Sequence, residues 1–276
     1  MTVTSTTLSH LVKDHILTLS NYMISILKYI LLTAIRDRLY VGMFIILLAA
    51  LGISTVVGGT ALVEQSQATM VYVAGSGRMI FSVGMILFVC FYVRRSFENR
   101  EVEFVLSKSI SRHSFVVAYL IGFNLVALLI ILPLVVLLMF MKASPIGLFY
   151  WGISLFFESL IIITFALLAA LILRSAVSAV MASVGFYLIS RMMGFFVLTI
   201  QIPEKISDFS TSDRLLKAVL KIISVVFPRL DLYGKSEWLI YGAINYNDIF
   251  VIFGQSLIYI PLMIFMAFYD FNRKQF

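Results

Sequence analysis

The sequence predicts an all-α integral membrane protein with six transmembrane helices and an N-terminal interfacial amphipathic helix. Three observations carry that prediction. Of 276 residues, 61% are hydrophobic and only 13% are charged, where soluble domains carry about 25% charged residues; mean hydropathy is +1.03. The apolar residues fall into runs of about 20, the length a helix needs to cross a hydrocarbon core of about 30 Å. The basic residues collect in the short connections between those runs, as topology signals do. Residues 1–40 read as an N-terminal section outside the bilayer and residues 41–276 as one membrane domain.

The segment Met23 to Ile35 is apolar but too short to span, and Asn21, Ser25, Lys28 and Arg36 fall near one helical face. An in-plane interfacial helix follows. Six runs are long enough to cross: Val41 to Val63, Met70 to Val93, Phe115 to Met141, Ile146 to Leu173, Ala176 to Ile200 and Ile249 to Tyr269. The connection 201–248 is the longest. Within it Lys217, Lys221 and Ser224 recur at helical spacing between apolar residues, so Leu215 to Val226 reads as a second surface helix that Pro228 ends. In the fifth run the stripe Ala176, Ala179, Ala182 and Gly185 offers a close-packing face. Asn124, Pro133, Gln255 and Pro261 are polar or kinking positions that neighbouring helices must satisfy.

Lys and Arg count twelve on the N-terminal side of the membrane and seven on the other, and the seven include six in the long connection, where six acids offset them. The bias places both termini and the 94–114 loop in the cytoplasm. The expected location is the inner (plasma) membrane. Net charge is +7, but its distribution along membrane-flanking loops argues against a nucleic-acid surface.

The loop from Arg94 to Gly122 reads R-R-S-F-E-N-R-E-V-E-F-V-L-S-K-S-I-S-R-H-S-F-V-V-A-Y-L-I-G. An acidic-basic helical stretch breaks at a serine-rich turn and enters the third span. This resembles the loop of type-two ABC exporter permeases through Glu98, Glu101, Glu103, Leu106, Ser107, Lys108, Ile110, Ser111, Arg112, Phe115 and Gly122. Ser109 stands where that family usually has proline, and Ala118-Tyr119 replaces a common Gly-Lys. The six-span layout and the Pro228 to Asp231 segment agree with the resemblance.

The resemblance implies a permease subunit that pairs with a second permease copy and exports a substrate. It also implies that Glu98, Glu101, Glu103, Lys108 and Arg112 belong to a coupling helix docked on a separate cytoplasmic ATPase subunit, where ATP and Mg would bind. An ion-driven transporter or channel and a non-catalytic assembly factor stay open as alternatives.

Arg78, Glu158 and Arg191 lie inside spans, each roughly 12–18 Å from the outer face at 1.5 Å per residue. A charge facing lipid at the bilayer centre costs about 2.5–3.5 kcal/mol or more, so these three should meet each other or a watered cavity. An interhelical ion pair and a polar path for an anionic substrate are both open.

Catalytic chemistry is not expected. Gly234-Lys235-Ser236 approaches a phosphate-binding loop, but Arg229 occupies the position of its first glycine. His10, His15 and His113 stand apart from any metal-binding or hydrolase motif, so no cofactor or metal is expected in the chain. Cys90, the single cysteine, reads as a packing residue.

Overall fold

The computed structural model describes residues 27–34, 36, 38–60, 65–102, 111–201, 211–242 and 246–273. Among the described residues the chain is helical and contains no strand. Helices α1 (Arg38–Gly59), α2 (Gln65–Glu98), α3 (Arg112–Phe140) and α4 (Pro145–Ile172) precede α5 (Ala176–Arg191) and α6 (Met193–Gln201). Then come α7 (Thr211–Val226), a 3₁₀ turn (Leu230–Gly234), the short α8 (Glu237–Tyr241) and α9 (Tyr246–Arg273). Among the described residues five helices are long and apolar enough to cross a membrane, making up to six spans if α5 and α6 together form one.

Helix α4 is the hub. It touches α2, α3, α5, α8, α9 and the 3₁₀ turn. In its most apolar stretch 72% of residues are buried, compared with 22% in α1 and 17% in α9. The outer pair therefore present Ile45, Ile46, Ile53, Phe253, Leu257 and Phe265 outward, as lipid-facing helices must. The hub can be crowded because its chain offers small side chains, Ser154, Ala166, Ala169 and Ala170, to its neighbours.

The fifth run departs from expectation. It is two helices bent by 44° at Met192, whose backbone leaves the helical region while its N–H still reaches Leu188 O. No proline marks the break. The 3₁₀ turn packs against both α5 and α6, with Asp231 beside Gly194 just past the bend. The small-residue stripe is also only partly internal. Ala179 is buried, but Ala182 faces outward, and the buried face continues through Ser183, Phe186, Tyr187 and Ser190. A three-residue repeat drifts off one face of a helix with 3.6 residues per turn; four-residue steps correct that drift.

Helix α7 is the amphipathic helix of the long connection. Leu220 points inward, while Leu215, Val219, Ile222 and Val226 form an exposed apolar stripe. Residues 27–34 of the N-terminal amphipathic segment are helical and dock through Ile30 and Ala34, both fully buried; its first residues, 23–26, lie outside the described residues. Cys90 is buried, and its thiol donates to Ala166 O at 3.8 Å.

At one end of the bundle the end of α2 and the start of α3 are fixed by local contacts. Helix α2 runs about 50 Å at 1.5 Å per residue, longer than a hydrocarbon core, and carries Arg94 to Glu98 beyond the apolar zone. Arg100, at φ 57°, follows the end of α2 in the left-handed region. Ser111 caps α3 by accepting from the Ser114 N–H at 3.1 Å. Phe115 stacks on Phe271 of α9 with ring centres 5.6 Å apart.

Candidate functional site

The candidate site is the buried charge cluster at the bundle centre. Arg78 comes from the middle of α2, Glu158 from the middle of α4 and Arg191 from the last turn of α5, so one side chain arrives from each of three packed helices. Arg78 Nη1 lies 2.6 Å from Glu158 Oε2, and both side chains are essentially sealed from solvent. Arg191 Nη1 stands 3.7 Å from Glu158 Oε1, with 30% of its side chain exposed. The three charges, for which the sequence left each other or a watered cavity as partners, lie together.

Two further groups complete the cluster. Trp151, Ser154 and Glu158 sit at i, i+3 and i+7 on one face of α4. Arg78 Nη2 donates to Trp151 O at 3.2 Å and Ser154 Oγ at 3.1 Å, and its guanidinium lies 4.7 Å from the centre of the Trp151 ring. The 3₁₀ turn supplies the other group. Arg78 Nη1 donates to Tyr233 O at 2.8 Å, and Arg191 Nη1 donates to Leu230 O at 2.9 Å. Leu230 and Tyr233 are fully buried, so the turn is anchored by apolar side chains as well as by the arginines.

This arrangement answers the electrostatic problem of two guanidiniums and one carboxylate in a low-dielectric interior. Three backbone carbonyls offer partial negative charge where a second carboxylate is missing. Arg78 is fixed by four acceptors and an aromatic face. Arg191 is looser, with a long ion pair, one hydrogen bond and an exposed edge at the 44° bend. Gly234 lies directly beside it, where a Cβ would displace the Arg191 guanidinium.

The connection around the turn is locked from both sides. Arg229 N–H donates to Gln255 Oε1 at 3.0 Å, which gives that intrahelical glutamine its partner. Arg229 pairs with Asp231 at 3.0 Å, and Lys235 with Asp248 at 2.6 Å. The Tyr233 hydroxyl donates to Ile252 O at 2.9 Å and lies 2.9 Å from Ser256 Oγ. Burial pushes its pKa above the usual tyrosine value, so it remains a donor. Tyr233→Phe removes that donor and leaves the Ile252 carbonyl with one partner fewer; a stability loss of about 1 kcal/mol is expected, read as a lowered unfolding temperature in detergent.

The residues assigned to docking by the resemblance lie elsewhere, about 30 Å along α2 from Arg78 to Glu98 at 1.5 Å per residue. Glu98 is exposed. Glu101 Oε2 accepts from Ser96 Oγ at 3.1 Å, and its Oε1 from Asn99 Nδ2 at 3.4 Å. Arg112 donates to Phe271 O at 2.9 Å and Asn272 O at 3.0 Å, meeting carbonyls at the C-terminal end of α9, where a cation is favoured. Glu103 and Lys108 lie outside the described residues. Among the described residues no three His, Cys, Asp or Glu side chains converge as a metal site.

The sequence matches no protein-family model, and no curated protein is similar to it at a significant level.

Proposed function

We propose that the chain is the membrane-spanning permease subunit of an ABC transporter of the exporter class. In this reading it pairs with a second permease copy in the plasma membrane, with both termini cytoplasmic, and ATP is hydrolysed on a separate subunit docked at the 94–114 loop. The observation that carries the reading is mechanical. One unbroken helix, α2, joins the mixed-charge turn at Glu98 to the intramembrane cluster at Arg78, and Arg112 ties the same turn to the end of α9. A push on the turn is thereby delivered as a rigid-body shift to the centre of the bundle.

The bend at Met192 is where such a shift would act. Arg191 holds Glu158 at 3.7 Å, beyond hydrogen-bond range, so the α5–α6 corner can part from α4 while the tight Arg78 pair stays closed.

The test is a mild-detergent pull-down with identification of the bound chains. An ATPase subunit should co-purify with the wild-type chain and be lost from a Glu98→Lys, Glu101→Lys double variant that still folds. Recovery of other membrane complexes without an ATPase, or association and transport unchanged in that variant, overturns the assignment. Solute movement by the purified chain in ATP-free liposomes would point to an ion-driven transporter instead.

A further inference from the structure

Outside the charge cluster, a groove runs along one flank of the antiparallel α1–α2 hairpin. The two helices meet closely, with Gly58 against Thr69, Met43 against Gly84 and Ser54 Oγ 2.9 Å from Ser76 Oγ. The groove extends from Arg38 to Ile46 on α1 and from Leu87 to Met79 on α2, about 12 Å on each helix at 1.5 Å per residue. Its volume is about 410 Å³, far more than the ~10–15 Å³ one water needs. Two glycines shape it. A Cβ at Gly42 would meet nothing within 4 Å, whereas one at Gly84 would run into the Met43 thioether. The bare Gly84 therefore lets Met43, 6% exposed, close the floor.

The lining has one charged end and an apolar body. Among the described residues Arg38, exposed at its rim, is the one polar side chain of the groove. Ile46 and Met79 stand outward as its walls, 58% and 52% exposed. Left empty, such walls forfeit dispersion contacts on one side, and water gains nothing from an apolar surface. Arg38 lies at the end nearer Arg94. Leu87, at that end, is about 10 Å along α2 from Arg94 at 1.5 Å per residue, so the long stem of Arg38 carries its guanidinium towards the headgroup layer. A second α1 seated in the groove would offer Arg38 no carboxylate, because α1 carries no acidic residue.

We propose that this groove holds one acyl chain of an anionic phospholipid whose headgroup meets Arg38. The negative head and apolar tail match the positive rim and apolar body, and the unbranched chain fills the space that the Gly42 side chain leaves open. The unbranched methionine side chains of floor and wall adapt to a chain of no fixed shape. The lipid thereby packs α1, of which only 22% is buried in its most apolar stretch, onto α2. The proposal rests on the membrane-spanning character of the helices and not on the transporter assignment.

The experiment is native mass spectrometry of the full chain in detergent, with phosphatidylglycerol or phosphatidylcholine of identical acyl chains added. The wild-type chain should retain phosphatidylglycerol about fivefold more strongly, the worth of one basic residue at an anionic membrane surface. Arg38→Ala should bring the two lipids together. Gly42→Leu supplies an independent readout. Its side chain occupies the groove, so retention of both lipids should fall, while the lipid-free unfolding temperature stays equal or rises because a helical glycine gives way to a strong helix former. A groove that is only a packing void would show that stability gain with lipid retention unaltered, and this result overturns the proposal. Equal retention of the two lipids by the wild-type chain, an unchanged preference in Arg38→Ala, or a lipid-free dimer that Gly42→Leu dissociates overturns it as well.

Discussion

Glu158→Gln should destabilise the folded chain by about 3–5 kcal/mol, the cost of breaking a buried ion pair by removing one partner. The substitution keeps the shape of the side chain and removes its charge, so the loss is electrostatic. Arg78 is 1% exposed and cannot turn to solvent, and its remaining acceptors, Tyr233 O, Trp151 O and Ser154 Oγ, are neutral. Arg191 then repels Arg78 with no carboxylate between them. The measurement is unfolding of the purified chain in mixed micelles with increasing denaturing detergent. An Arg78→Met, Glu158→Leu double variant should be much less damaged, because apolar replacement of a whole buried pair is often neutral or stabilising. Arg191 tolerates that change through its exposed edge and its bond to Leu230 O. If Glu158→Gln is as stable as the wild type yet transports differently, the cluster lines a path and its structural role fails.

Gly147→Ala carries the second large effect. The glycine lies in the first turn of α4, directly under the backbone of α8, and a Cβ at this position would overlap the Trp238 carbonyl. Backbone cannot yield as a flexible side chain does. Overpacking costs about 1–3 kcal/mol in ordinary cores, and the upper end of that range or more is expected here. The displacement also has a direction. Ser144 N–H donates to Leu239 O at 2.9 Å, and α8 continues the 3₁₀ turn that carries Tyr233 O, so pushing α8 away loosens the lid over Arg78. A Leu239→Cys reporter, placed at a fully buried position, should label slowly in the Gly147 background and rapidly with Gly147→Ala. Cys90, itself buried, contributes little background. Equal labelling in both backgrounds shows that α8 accommodates the methyl group without moving.

The candidate site was half visible in the residue order. Arg78, Glu158 and Arg191 announced themselves because a charge in an apolar run is rare and must be answered, and their similar depths pointed to one meeting place. Ser154 and Trp151 were legible in principle, since i, i+3, i+7 spacing puts them on the Glu158 face. The Tyr233 and Leu230 contacts were not: Arg78 reaches a backbone carbonyl 155 residues away, and a carbonyl has no residue-type signature. The break at Met192 was hidden for a related reason, because neither proline nor glycine occupies the position, and the 3₁₀ turn that packs there comes from elsewhere in the chain.

By itself the sequence determined that the chain is a bundle of apolar helices of membrane-crossing length, that an amphipathic helix sits in the long connection, and that three intramembrane charges need partners. These follow from local hydropathy and helical period, which the solvent enforces one segment at a time. Only the tertiary structure decided that α4 is the hub while α1 and α9 stand at the rim, that the fifth run bends, and that Arg78 is clamped while Arg191 stays loose. Those outcomes depend on which surfaces meet; hydropathy along one chain is nearly the same for every helix that crosses a membrane.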